Sequence, residues 1–259
     1  MRVHSRLVFV SIFLLMFFQN ANSQFYQVYG YTTLDANEKE LVIWNTFIPS
    51  SDHDYSFFGE TAPRAGLMAH SLELEYGITR NFTVAIYADF EQPKGHDLKW
   101  IRTKAVAVYY SIREKNLLPV DLAIYGEYKL PRKGYKDYEE IEIKLIMEKD
   151  LGSHQIVLNP TVEKKISGED VTEGVEFVLN GAYTYTKSLV FQPRLEYYSK
   201  MGELYDLPGF SEQKHYIFPS FNLFLGKHKK IRWHAGVGIG LTDPSDNIII
   251  KSILSWEFI

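Results

Sequence analysis

The chain has 259 residues, of which 46% are hydrophobic, 15% aromatic and 23% charged, with no cysteine and a formal charge of −4. That content excludes a disordered chain, and the missing thiols exclude a disulfide scaffold, a cysteine-ligated metal centre and a lipid-anchored lipoprotein. Past the N-terminus no uninterrupted apolar run approaches the ~20 residues of a spanning helix, yet 18 Tyr, 17 Phe and 4 Trp are many for a water-soluble protein.

Arg2 and Arg6 precede an apolar run from Leu7 to Phe18, and Ala21-Asn22-Ser23 supplies a small-x-small site before Gln24. This layout predicts a secretory signal peptide over residues 1–23, cleaved near Ser23. Loss of the two arginines leaves 26 bases against 32 acids, a charge of −6. An acidic export product gives no ground for a nucleic-acid partner. A lead segment, 24–39, comes next; its apolar piece from Phe25 to Tyr31 either joins a sheet or folds inward as a plug.

From residue 40 to 259 the period is two, not 3.6. Ser71, Glu73 and Glu75 alternate with Leu72, Leu74 and Tyr76. Thr83, Tyr87, Asp89 and Glu91 oppose Phe82, Val84, Ile86, Ala88 and Phe90. Further on, Glu140, Glu142, Lys144 and Glu148 oppose Ile141, Ile143, Leu145 and Met147, and Arg232, His234 and three glycines oppose Ile231, Trp233, Ala235, Val237, Ile239 and Leu241. The pattern predicts twelve strands, near 40–48, 66–77, 81–91, 98–112, 118–130, 137–150, 153–167, 173–187, 188–200, 213–227, 230–242 and 246–259. About 20 residues per strand and connection suits membrane strands of ~9–11 residues. Connections alternate in length, with short turns at 78–81, 150–153, 186–188 and 226–230 and mostly longer, Gly- and Pro-bearing loops between; 113–118 and 241–247 depart from the rule. Short turns are periplasmic in such proteins, which puts both termini of an even-stranded barrel on that side. The fold class expected is all-β, a transmembrane antiparallel β-barrel.

Two features favour lipid over a second protein layer. Tyr76, Phe82, Phe90, Tyr109, Tyr128, Tyr183, Tyr185, Phe191, Tyr197 and Trp256 fall toward strand ends, where amphipathic rings would sit at headgroup level. The last strand alternates Ile248, Ile250, Leu254, Trp256 and Phe258 against Ile249, Lys251, Ile253, Ser255 and Glu257. Such an ending resembles bacterial outer-membrane barrels, whose final strand is read by the barrel-insertion machinery; here Ile259 follows the usual terminal aromatic. The stretch Leu72-Glu73-Leu74-Glu75-Tyr76-Gly77-Ile78-Thr79-Arg80-Asn81-Phe82-Thr83-Val84, with Gly240-Leu241-Thr242-Asp243, resembles outer-membrane proteins grouped with the MetA-pathway of phenol degradation family. The resemblance implies a barrel engaged in transport, seated in outer-membrane lipid, with no catalytic residues to carry over.

If the apolar faces meet lipid, the opposite faces line a lumen with Glu73, Glu75, Asp89, Arg102, Lys104, Asp121, Glu127, Lys129, Glu140, Glu142, Lys144, Arg194, Glu196, Arg232 and Lys251, joined by Glu148, Glu163, Lys165, Glu176 and Glu257. Unpaired in an oily core each charge would cost several kcal/mol, whereas a wet lumen lets them pair and hydrate. Two readings stay open: a passive channel or transporter for a small-molecule solute, its acidic excess favouring cations or zwitterions, and a structural or interaction barrel plugged by cross-strand ion pairs. A lipid-modifying enzyme is a third, but no nucleophile motif supports it, and neither a cofactor nor an enzymatic activity is expected. The histidines are scattered singly, and His53 beside Asp52 and Asp54 reads as a solvated loop, so no metal site is expected. Gly236, Gly238 and Gly240 share one face, where they leave room for large neighbours or let the strand coil.

Overall fold

The computed structural model describes residues 26–31, 33–111, 115–168, 171–226 and 228–258. The expected signal peptide, Phe25, part of the 113–118 connection and Ile259 lie outside the described residues. The strands are β1 (Lys39–Ser50), β2 (Asp54–Phe57), β3 (Glu60–Pro63), β4 (Leu67–Thr79), β5 (Phe82–Gln92), β6 (Lys99–Ser111) and β7 (Asp121–Pro131), then β8 (Tyr138–Leu151), β9 (His154–Gly168), β10 (Glu176–Tyr185), β11 (Phe191–Glu203), β12 (Lys214–Leu225), β13 (Ile231–Gly240) and β14 (Ile248–Phe258). All but β2 and β3 form one closed antiparallel ring, each strand beside the next, with β1 hydrogen-bonded to both β4 and β14. The twelve ring strands are those expected from the alternation, within a few residues at each end. Closure leaves no unpaired ladder edge, which hydrocarbon could not satisfy.

Alternation fixes which side each residue takes. Ile43 on β1 lies opposite Leu72 on one neighbour and Leu254 on the other, so apolar side chains form rows around the outside. Leu74, Ile86, Ile124, Ile143, Leu158, Leu195, Val237 and Ile239 are all exposed there. A continuous apolar exterior of this extent marks a lipid or partner surface, not a water-facing one. Lys39 pairs with Phe258, so β1 begins where β14 ends; this end is called proximal below and the other distal. The proximal turns after β4, β8, β10 and β12 are short, and Gly152 takes φ +64° in the tight β8–β9 turn.

Bulges account for one error of the parity reading. The ladders on both sides of β6 shift at one place, opposite Ala85–Tyr87 on β5 and between Lys104 and Val106, which marks one extra residue on β6. It moves the positions after it to the other face. Tyr109, expected among the headgroup aromatics, therefore points inward, its ring 6.0 Å from that of Tyr125 and 6.5 Å from that of Tyr29. Tyr76, Tyr183, Phe191 and Trp256 are exposed on the outside. On β13 the Gly238 position is explained by its neighbour: a Cβ there would lie 2.1 Å from the Phe218 ring.

Two segments outside the ring fill it. Residues 26–31 lie inside the barrel with Tyr26, Val28 and Tyr31 buried, which decides the question of sheet or plug in favour of the plug. The 51–66 connection, expected from the sequence to be a loop, contains the hairpin β2–β3. Its Tyr55, Phe57 and Ala62 are buried in one apolar cluster with Tyr26, Ile101, Tyr135, Tyr198, Tyr216, Phe218 and Ile249.

Candidate functional site: the barrel interior

Every charged position assigned to the lumen lies on the inner face, and nearly all are paired. Toward the middle, Lys129 donates to Glu140 (2.6 Å) and Glu163 (3.0 Å) and lies 2.9 Å from Glu142. Lys144 bridges to Glu142 at 2.8 Å while lying 4.1 Å from the centre of the Tyr29 ring. Lys104 pairs with Glu127 at 3.4 Å beneath the Tyr87 ring, and Glu127 also accepts from the Tyr125 hydroxyl. Asp89 takes a hydrogen bond from Ser71 at 2.5 Å and another from Arg102 at 2.7 Å. Around the rest of the ring, Arg194 donates to Glu196 at 2.9 Å, and Lys251 donates to Glu196 and to the Tyr198 hydroxyl. Asp121 sits at the proximal end of β7 and accepts from the Asn116 amide at 2.6 Å. Buried pairs of this kind offset their desolvation only while both members are present.

Glu73, Glu75 and Arg232 differ, because they face open space. The Trp44 indole donates to Glu73 Oε2 at 2.9 Å. Arg232 donates to Ser255 at 3.2 Å. These residues border a cavity of about 500 Å³ at the proximal end. Among the described residues its carboxylates are Asp35, Glu38, Glu40, Glu73, Glu75, Glu148, Glu196 and Glu257, against the cations Lys115, Arg194, Lys229, Lys230 and Arg232. A smaller cavity of about 80 Å³ lies among Arg102, Lys104, Lys129, Glu142 and Lys200. Gln27 and Tyr29 line both cavities, so the internal segment stands between them.

Barrel side chains hold that segment by its backbone. Asn159 accepts from the Tyr29 amide at 2.7 Å and donates to the Tyr29 carbonyl at 3.1 Å. Arg194 donates to Val28 O at 3.1 Å, Lys251 donates to Tyr26 O at 3.0 Å, and Glu148 accepts from the Tyr31 amide at 2.9 Å. Tyr26 seats its ring 5.3, 5.4 and 5.1 Å from Tyr198, Tyr216 and Phe218. Sequence reasoning missed Asn159, because a lone Asn in a strand carries no motif, and it missed the inward aromatics that meet the plug.

The hairpin packs into the barrel at its distal end. Arg64, just after β3, makes a two-pronged contact with Asp246 in the β13–β14 connection, Nε to Oδ1 and Nη2 to Oδ2, both 2.7 Å. Ser51 adds a hydrogen bond to Asp246 at 2.7 Å. Tyr55 and Tyr135 both donate to Glu91 Oε2 at 3.1 Å. Burial pushes the Asp246 carboxyl up, but the hydrogen bonds and charge of Arg64 reverse this and hold it below the ordinary carboxylate range. Burial likewise opposes the charge on Arg64, and the same carboxylate more than restores it, raising its pKa. In the same region His53 contacts Asp243 O at 2.8 Å, and Asp52 accepts from Asn247 at 3.0 Å.

No family model matches the chain, and no curated protein matches it. Solved structures do resemble it. An outer-membrane channel from Pseudomonas putida F1 superposes with a TM-score of 0.61 at 12% identity, covering 88% of this chain and 98% of that one. The KdgM porin solved in complex with disordered oligogalacturonate gives 0.57 at 8% identity, covering 85% and 99%, and the KdgM porin in a second structure gives 0.53 at 10%, covering 85% and 99%. At these identities the likeness is one of fold: the chain has the architecture of outer-membrane β-barrel channels.

Proposed function

We propose that the protein is an outer-membrane channel for small solutes, exported by its 1–23 leader and inserted with both chain ends on the periplasmic side. The observation that carries this reading is the proximal vestibule of about 500 Å³, charged within and enclosed by a wall whose outside is apolar. A soluble protein would gain nothing from either surface, whereas a membrane barrel needs both. The fold shared with solved outer-membrane channels supports it, as does the amphipathic last strand, which suits recognition by the insertion machinery. The resemblance of its turns to those of the MetA-pathway family supports transport of small molecules over catalysis. Among the described residues, eight carboxylates against five cations in the vestibule would favour cations and zwitterions over anions. Crossing requires the 26–31 segment and the hairpin to yield, because their aromatic cluster occupies the axis beyond the vestibule.

That cluster also favours the second reading, a plugged barrel that conducts nothing. Reconstitution into planar bilayers separates the two. The channel reading expects discrete current steps with a cation-favouring reversal potential, more frequent when the hairpin latch is broken. Absence of current at every voltage, from native and latch-broken protein alike, selects the plugged barrel.

A further inference from the structure

The interior holds residues 26–31 as a receptor holds a peptide. The segment belongs to no strand, yet its backbone is engaged by side chains from four different strands: Lys251 at Tyr26 O, Arg194 at Val28 O, both ends of the Asn159 amide at Tyr29, and Glu148 at the Tyr31 amide. A main-chain bond carries no sequence information, so any extended peptide presents the same groups. The holding groups are themselves fixed from outside the segment. Glu196 orients both Arg194 and Lys251, and Glu148 is braced by Gln155 at 3.0 Å and Lys115 at 2.6 Å. Such preorganisation lowers the entropic cost of receiving a ligand. Specificity comes from two aromatic niches: Tyr198, Tyr216 and Phe218 around Tyr26, and Tyr125 with Lys144 around Tyr29.

We propose that this track is a binding site for short extended peptides bearing aromatic side chains, with residues 26–31 as its internal occupant. The idea rests on the channel reading and names its solute class. The vestibule gives access from the proximal end, since Gln27, Val28, Tyr29 and Gly30 all border it. An entering peptide would displace the internal segment and take over its backbone partners.

The test uses the blocked synthetic hexapeptide Tyr-Gln-Val-Tyr-Gly-Tyr. A chain lacking residues 24–31, checked for heat-modifiable migration, is titrated by calorimetry. It is expected to bind the hexapeptide but not a neutral oligosaccharide of similar length, and Asn159→Ala is expected to weaken binding roughly tenfold or more through loss of both amide contacts. A second measurement needs no deletion. The sequence has no cysteine, so Val28→Cys in the full chain reports release of the segment, and excess hexapeptide should speed its thiol labelling at least threefold. No heat of binding by the folded shortened chain, or labelling indifferent to peptide, overturns the proposal. Because neither readout is a current, binding without conductance refutes the channel reading alone, and conductance without binding refutes the peptide site alone.

Discussion

The latch between Arg64 and Asp246 offers a sharp perturbation. Both side chains are almost fully buried, at 5% and 1% exposure, and they meet through two hydrogen bonds of 2.7 Å. Replacing Arg64 by Ala leaves a buried carboxylate that keeps, among the described residues, the Ser51 side-chain hydrogen bond at 2.7 Å, and breaking such a pair costs about 3–5 kcal/mol. The ring itself does not depend on this contact, because its ladders close without β2 and β3. The cost should therefore fall on hairpin docking, raising the undocked population by roughly a hundredfold or more. Amide hydrogen exchange in detergent or lipid measures it: residues 54–63 in Arg64→Ala should lose protection while β8 and β9 keep theirs. Arg64→Met with Asp246→Leu should recover most of the loss, since an apolar pair of similar volume avoids the desolvation penalty. The Asp246 carboxyl is held below its unfolded value of about 3.9. Its contribution is thus fully present above that value and is lost as pH falls through the lowered folded one, so docking should be flat from pH 8 to 5 and weaken only below about pH 4. If the single variant leaves hairpin exchange unchanged, or hairpin and ring lose protection together, the latch reasoning is wrong.

The interior yields further expectations. Lys129→Met should destabilise the barrel by about 3–5 kcal/mol, because Glu140, Glu142 and Glu163 lose their shared cation; adding Glu142→Gln should return part of it, read as the temperature at which heat-modifiable migration is lost. Gly238→Ala should cost roughly 1–3 kcal/mol by overpacking against the Phe218 ring, and Phe218→Leu in the same chain should relieve it. Glu73→Gln with Glu75→Gln removes two vestibule carboxylates, so the reversal potential should move toward less cation preference with little change in folding.

How much of this was legible in the sequence depends on the range of the interaction. Strand identity and facing come from parity, which is local: Glu140, Glu142 and Lys144 face in because Ile141, Ile143 and Leu145 face out. A bulge adds one residue without any change of composition, which is why Tyr109 was placed on the wrong side. The plug and the hairpin were not legible as partners. Tyr55 and Phe57 alternate as a strand should, with Gly59 at φ +83° in the turn, but nothing local says that such a hairpin folds into the barrel. The inward apolar residues Ile249 and Ile253 on a face bearing Lys251 were visible anomalies; their explanation lies in segments more than 190 positions away, at Tyr26 and Tyr55 for Ile249 and at Tyr31, Val42 and Trp44 for Ile253. Asn159 is recognisable only once Tyr29 lies beside it.

Hydrocarbon wetting the outside of the ring is the premise on which topology, vestibule and latch all depend. Single cysteines placed along β8 in this cysteine-free chain, labelled with a fluorophore and reconstituted in vesicles containing brominated lipid, test it position by position. Residues 141, 143 and 145 should be quenched strongly, and 140, 142 and 144 weakly. Equal quenching at odd and even positions, or no quenching at any, would contradict it.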